Sequence, residues 1–306
     1  YRLHLDATGH VPDTLVAKLA AGSPEARQRV GEGYRKEVRF YSDLAGLVAV
    51  NTPQCWYAAI SDDTQSFTLL LEDLAPLVPG KQALGCRLDQ AAAAVQNLAG
   101  LHAPLWCDPL LHDHAEWLRP MDEATGAFLG ELMVTATEQF IERYADRLAG
   151  DVDTLREAAA LIGRWATAGN DIFSVMHGDY RLDNLMFDPD GSDVSAVDWQ
   201  TATTGPPVRD LSYFLGTSLA VELRRSHERE LVEVYVAALK SRGVDHPFER
   251  CYEDYRLGVM QGPLITVLGC IYATAEPSAD SDEMFLAMAT RSCAAIRDLG
   301  TLDLLS

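Results

Sequence analysis

The run His177-Gly178-Asp179-Tyr180-Arg181-Leu182-Asp183-Asn184, followed by Ala196-Val197-Asp198-Trp199-Gln200, sets one acidic group and two further oxygen donors at short, fixed spacings. That combination suits phosphoryl transfer, which asks a protein mainly to position a nucleophile and to neutralise charge on phosphates. An acidic side chain beside an acceptor hydroxyl and two oxygen ligands for Mg²⁺ meet both needs. Asp179 is the candidate base, and Asn184 and Asp198 are the candidate metal ligands. The local pattern brings them together. Leu185-Met186-Phe187 is a short apolar strand, Asp188-Pro189-Asp190-Gly191 a turn, and Val194-Ser195-Ala196-Val197 a second strand ending at Asp198. A hairpin in that register returns Asp198 to the neighbourhood of Asn184. Any one of these residues alone reads as a cap bonding turn backbone, whereas the set at this spacing reads as a site.

At these residues the chain resembles the aminoglycoside phosphotransferase-like small-molecule kinases, which share the protein-kinase fold. The resemblance rests on His-Gly-Asp, an Asn five positions after that Asp, and an Asp at the end of the next strand. Asp198-Trp199-Gln200 and the Leu-Glu-Asp-Leu stretch at 71–74 are closest to the ecdysteroid-kinase-like and choline-kinase-like branch. The resemblance implies an α+β, bilobal protein-kinase-like fold, with a small β-rich N-lobe over residues 1–74 and a large, mainly helical C-lobe over 75–306. It implies ATP and Mg²⁺ as cofactors and a small-molecule hydroxyl acceptor. Lys18 sits where such kinases carry the strand lysine that contacts the α- and β-phosphates, although on its own it would read as one charge on a strand surface. Glu37 is its implied helix partner, followed by Val38, Phe40 and Tyr41 as an apolar docking face, with Glu32 the competing choice. Backbone groups of Glu72 and Leu74 are implied to hold the adenine edge. Asp210 resembles a helix-start aspartate that bonds catalytic-loop amides, and a generic N-cap reading makes the same physical prediction. Arg181 either stabilises the transferred phosphate or binds acceptor, with an outward surface role the alternative.

The elements that must position these groups are legible from residue 1. Residues 2–5 alternate like a strand, 6–10 are turn-like, and 14–19 form a second strand carrying Lys18. Residues 23–47 turn helical, with Ser23-Pro24-Glu25 as cap and first turn. Phe67-Thr68-Leu69-Leu70-Leu71 fits a buried strand leading to the hinge. Helices are expected over 89–106, 123–148 and 152–168, with Ala-rich stretches permitting close packing, and after the hairpin over 211–223, 228–241, 252–275 and 282–299. The glycine-rich loop that covers the phosphates in such kinases has no counterpart before Lys18, and Gly31-x-Gly33 lies in the helical stretch after it. The N-lobe is therefore expected to be truncated at its start, as part of a longer protein, because a half-built small lobe would leave a sheet edge unpaired; the alternative is an atypical kinase without that loop.

Other features exclude or leave open. His112-Asp113-His114 lacks the i, i+4 spacing of a helical zinc site. His102 reads as a packed, hydrogen-bonded residue, and His177 as one that orders its loop. Six Cys residues without a Cys-x-x-Cys pair read as reduced thiols in a cytoplasmic protein. Residues 258–275 carry no charge until Glu276 and approach membrane-spanning length, but Gln261, Gly262, Pro263 and Gly269 favour a buried helix broken near Pro263, so no membrane is expected. A formal net charge of −20 argues against a nucleic-acid partner. An acidic surface could attract a cationic acceptor or could serve solubility alone. Trp199, Gln200, Tyr213, Met260 and Tyr272 are candidate acceptor-pocket residues that would equally be core. Two readings compete with the kinase: a nucleotide-binding pseudokinase acting as scaffold, and a metal-dependent phosphatase using His177 and Asp179.

Overall fold

The computed structural model describes residues 1–6, 12–148, 150–274 and 277–305. A small antiparallel sheet is built from β1 (Arg2–His4), β2 (Thr14–Leu19), β3 (Cys55–Ile60) and β4 (Phe67–Glu72), in the spatial order β1-β2-β4-β3, with α1 (Pro24–Arg39) inserted between β2 and β3. The two-residue period of the strands decides its faces: Leu15 and Ala17 of β2 and Phe67, Leu69 and Leu71 of β4 are buried, and Lys18 points the other way. Tyr34 of α1 stacks on Phe67 with ring centroids 4.3 Å apart, which docks the helix on the sheet. Ser23 caps α1, its Oγ accepting from the Ala26 N–H, and Pro24 occupies the first turn. The helix continues as a π-turn, Phe40–Leu44, with Phe40, Tyr41 and Leu44 buried, so it stops short of the expected residue 47. The turn expected at 6–10 lies, from residue 7 on, outside the described residues.

The larger, mainly helical part comprises β5 (Val78–Pro79), α2 (Leu88–His102), α3 (Leu110–Asp113), α4 (Glu123–Tyr144), α5 (Val152–Ala166), β6 (Ser174–Met176), β7 (Leu185–Phe187), β8 (Val194–Ala196) and β9 (Thr203–Gly205). It continues with α6 (Val208–Ser218), α7 (Val221–Ser241), α8 (Phe248–Gly258), α9 (Gln261–Leu268) and α10 (Ala279–Leu299). Helices α4 and α5 meet at backbone distance: a Cβ added to Gly130 would lie 3.1 Å from the Gly163 Cα. The β7–β8 hairpin has Leu185 opposite Ala196, and Val197 donates its N–H to the Asn184 carbonyl, so the register brings Asp198 back beside Asn184. Strands β6 and β9 pair on the other side, Met176 opposite Thr203, and clamp the same loops.

Three expectations need correction. The helix over 211–223 is two helices, broken at Leu219 and Ala220, whose backbones are extended although neither Gly nor Pro is present. Tertiary contacts set this break, since the Ser218 carbonyl accepts from the Cys86 N–H instead of from a further helical turn. The apolar stretch 252–275 divides at Val259 and Met260, before Pro263, which falls in the first turn of α9 where its missing N–H costs little. Ala275 lies outside the described residues. Strands β3, β5, β6 and β9 were not foreseen: two or three residues are too few to display a period in the last three, and the six residues of β3, Cys-Trp-Tyr-Ala-Ala-Ile, do not alternate polar and apolar. Among the described residues, one stretch, Phe248–Ala273, is long and apolar enough to cross a membrane; 56% of its most apolar window is buried within the fold.

Candidate active site

The loop from His177 to Asn184 owes its shape to buried partners. Asp210, at the start of α6, accepts from the His177 N–H at 2.6 Å and the Gly178 N–H at 3.0 Å. Gly178 has φ +82°, and a Cβ there would lie 2.6 Å from the Thr201 carbonyl oxygen, so only glycine fits. The His177 Nδ1 accepts from the Asp179 N–H at 3.3 Å, which puts the ring proton on Nε2, 3.1 Å from the Val197 carbonyl it donates to. His177 thus ties the Asp179 loop to the Asp198 strand. Behind Asp210, His102 approaches at 3.4 Å and bonds the Tyr235 hydroxyl; burial, opposed by Asp210, pulls its pKa below the usual value. Replacing Asp210 with alanine strips two buried amides of their acceptor. It is expected to destabilise the fold by roughly 2–5 kcal/mol, read from urea unfolding midpoints.

Asp179 is held on both oxygens. Its Oδ1 accepts from the Tyr213 hydroxyl at 2.7 Å, and its Oδ2 accepts from Arg181 Nε and Asn184 Nδ2, each at 3.1 Å. Burial, with the Asp179 carboxylate beside it, pushes the Tyr213 phenol well above its usual pKa, so it keeps the proton it donates. Arg181 also reaches Asp183 at 3.1 Å and points inward, which sets aside the surface role. The sequence places Asp179 and Asn184 five residues apart, and the 3₁₀ turn Leu182–Asn184 folds one onto the other.

Across the cleft, Lys18 Nζ lies 2.8 Å from both Glu37 carboxylate oxygens and 3.4 Å from Asp198 Oδ1. Burial alone would lower the Lys18 pKa, but Glu37 and Asp198 outweigh it and raise it above the ordinary value, so the ammonium stays charged. Glu37 is the partner; Glu32 makes only an exposed 3.8 Å pair with Arg35. Gln200 donates to Glu37 at 3.3 Å, and Trp199 stacks on Phe40 with centroids 3.6 Å apart, fastening α1 to the segment that carries Asp198. Asp198 itself adopts φ +68°, a left-handed conformation that Asp tolerates better than most residues. Glu72 ends β4, its side chain accepting from the Gln54 N–H, and the Leu74 carbonyl accepts from the Leu77 N–H just beyond.

Not every candidate converges. Trp199 and Met260 are fully buried core residues, the alternative reading of these candidates, and Tyr272, 53% exposed, is not among the residues that line the cavity beside Asp179. His112 stacks on Phe173, His114 pairs with Asp43 at 3.7 Å, and the described residues contain no cluster of three His, Cys, Asp or Glu groups fit for a metal. Two glutamines were missed. Gln82 accepts from the Leu182 N–H and donates to the Thr217 carbonyl, and Gln261 donates to the Gly178 carbonyl. Gln261 carried a signal, since a polar side chain inside an otherwise apolar run must find a partner.

A family model described as the ecdysteroid kinase-like family matches residues 13–243. The Plasmodium vivax ethanolamine kinase structure superposes with a TM-score of 0.56 at 13% identity, covering 94% of this chain and 77% of that one. The GDP and kanamycin complex of APH(2")-IIia also gives a TM-score of 0.56 at 13% identity, covering 95% and 92% respectively. At such identities the likeness is one of fold, and the fold is the expected one. Acyl-CoA dehydrogenase family member 11 of Gallus gallus is 38% identical over 77 residues, 23% of this chain and 10% of that protein. Family member 10 of Mus musculus is 34% identical over 73 residues, 22% and 7%. The matched stretches span a tenth or less of the length of those two relatives.

Proposed function

The chain belongs to the ecdysteroid kinase-like family, and from that premise we propose that it is an ATP-dependent phosphotransferase moving the γ-phosphoryl group of Mg·ATP to a hydroxyl of a small molecule. The observation that carries this reading is the convergence, from three separate segments, of Lys18 on Glu37 and Asp198, and of Asn184 on Asp179. The adenine edge is assigned to the backbone of Glu72 and Leu74, and the phosphates to Lys18. Asp179 accepts the proton of the acceptor hydroxyl. The acceptor oxygen forms a bond to the γ-phosphorus while the bond from that phosphorus to the bridging oxygen breaks, leaving ADP. Arg181, fixed beside Asp179, offers its remaining donors to the transferred phosphoryl group.

The residues fit a magnesium ion. Asn184 commits its Nδ2 to Asp179, which leaves its Oδ1 outside those bonds, and the Asp198 carboxylate is 42% exposed toward the cleft. Both are hard oxygen donors, as this cation prefers. Magnesium held by Asn184 and Asp198 would neutralise charge on the β- and γ-phosphates. All six cysteines are free, which supports a reducing, cytoplasmic setting, and the net charge of −20 supports a partner other than nucleic acid.

Titration calorimetry tests nucleotide binding separately from turnover. ATP is expected to bind in the presence of magnesium and to lose affinity on chelation. Lys18→Met removes a charged contact worth about 1.5–3 kcal/mol, so affinity for Mg·ATP is expected to fall about 10- to 100-fold. Equal affinity in wild type and variant would contradict the phosphate role of Lys18.

A further inference from the structure

Beside Asp179 lies a cavity of about 220 Å³ in the helical part. Asp179 and Arg181 form its charged end, Ile265 of α9 and Met284, Phe285 and Met288 of α10 line it with apolar surface, and Ala273 stands at its exposed rim. The three α10 residues share one helix face through their i, i+1, i+4 spacing. Gly269, first residue of the π-turn Gly269–Ala273 that continues α9, lets the Phe285 ring in, since a Cβ there would lie 3.3 Å from Phe285 Cε1.

Resting on the phosphotransferase reading, we infer that the acceptor is an uncharged aliphatic alcohol whose hydroxyl-bearing end occupies this cavity. Aminoglycosides, choline-type amino alcohols and whole sterols are disfavoured. Charge argues first. Among the described residues that line the cavity, Asp179 and Arg181 are the formally charged ones, and Arg181 bridges Asp179 and the neighbouring Asp183, each at 3.1 Å, so both carboxylates are already engaged. A cationic acceptor would find, among the described lining residues, no free carboxylate beyond the one committed to its hydroxyl, and an unpaired cation against walls that are apolar apart from Thr274 and Ser281 is costly. The net charge of −20 therefore serves the surface and does not select a cation at this site. Size argues next. An enclosed apolar cavity of about 150 Å³ takes a benzene ring, so this one, open at its Ala273 rim, covers on the order of ten non-hydrogen atoms and would leave most of a fused sterol skeleton in solvent. Met284 and Met288 then adapt to a flexible chain, because unbranched thioethers repack easily.

Calorimetric titration of the full chain with a secondary octanol, choline, kanamycin and cyclodextrin-solubilised cholesterol tests this, in wild type, Met288→Trp and Ala273→Phe. Met288→Trp fills the depth of the cavity. Ala273→Phe narrows the mouth from an exposed position that accommodates bulk without unfolding. The expected result is octanol binding in wild type weakened at least tenfold by each variant, with no variant-sensitive binding of choline, kanamycin or cholesterol. Octanol that fails to bind, or binds equally to all three proteins, overturns the inference. So does choline, kanamycin or cholesterol binding that Ala273→Phe abolishes. Variant-sensitive octanol binding without any phosphate ester on adding Mg·ATP would retain the cavity assignment and overturn the kinase reading instead.

Discussion

Replacing Asp179 with asparagine is expected to lower kcat for phosphoryl transfer by about 10²- to 10⁴-fold, the usual worth of a positioned general base. ATP affinity should change little, because in the proposed function Asp179 serves the acceptor and Lys18 the phosphates. The substitution preserves shape but not hydrogen bonding. The present carboxylate accepts from Tyr213 on one oxygen and from Arg181 and Asn184 on the other. An amide has one acceptor oxygen, so it must abandon either Tyr213 or the Arg181–Asn184 pair. Steady-state kinetics with saturating Mg·ATP check this, and a fall smaller than tenfold would remove Asp179 from the chemistry.

Asp198→Ala should be at least as damaging, with magnesium-dependent turnover reduced by on the order of 10³-fold, the scale of a lost charge-stabilising group in a transition state. Two effects combine: a candidate metal ligand is lost, and Lys18 loses the second of its two carboxylate neighbours. Asp198 also has φ +68°, a conformation that costs alanine roughly 1–2 kcal/mol. Asp198→Asn separates the two causes, since Asn tolerates this backbone while removing the charge. If the charge matters, both variants fail across a magnesium titration. If only the backbone matters, Asn retains full activity, and the negative charge of Asp198 is then removed from the chemistry.

Much of this arrangement was legible because its parts are local. The turn signals at 188–191 fix the hairpin register, and that register alone returns Asp198 to Asn184. Ser23 and Pro24 announce α1, and from there the partnership of Lys18 and Glu37 follows from the family pattern. What stayed hidden depends on which side of a helix faces what. Trp199 and Tyr213 look alike in sequence, yet one is core stacked on Phe40 and the other sends its hydroxyl to Asp179. Ile265, Met284 and Met288 are ordinary helix residues until α9 and α10 pack beside the catalytic loop. The break at Leu219 and Ala220 has no local marker, because the chain there is redirected by tertiary contacts that helix propensity cannot register.

The central claim is transfer of the γ-phosphoryl group to a small-molecule hydroxyl by Asp179 and its neighbours. Its most direct test is mass spectrometry of a mixed alcohol library, containing aliphatic alcohols, amino sugars, choline-like alcohols and sterols, incubated with the protein and Mg·ATP. The account predicts a product bearing one added phosphoryl group with the wild type and none with Asp179→Asn. No phosphorylated product from any alcohol, by a protein that binds Mg·ATP, would contradict it and mark the chain as a nucleotide-binding pseudokinase.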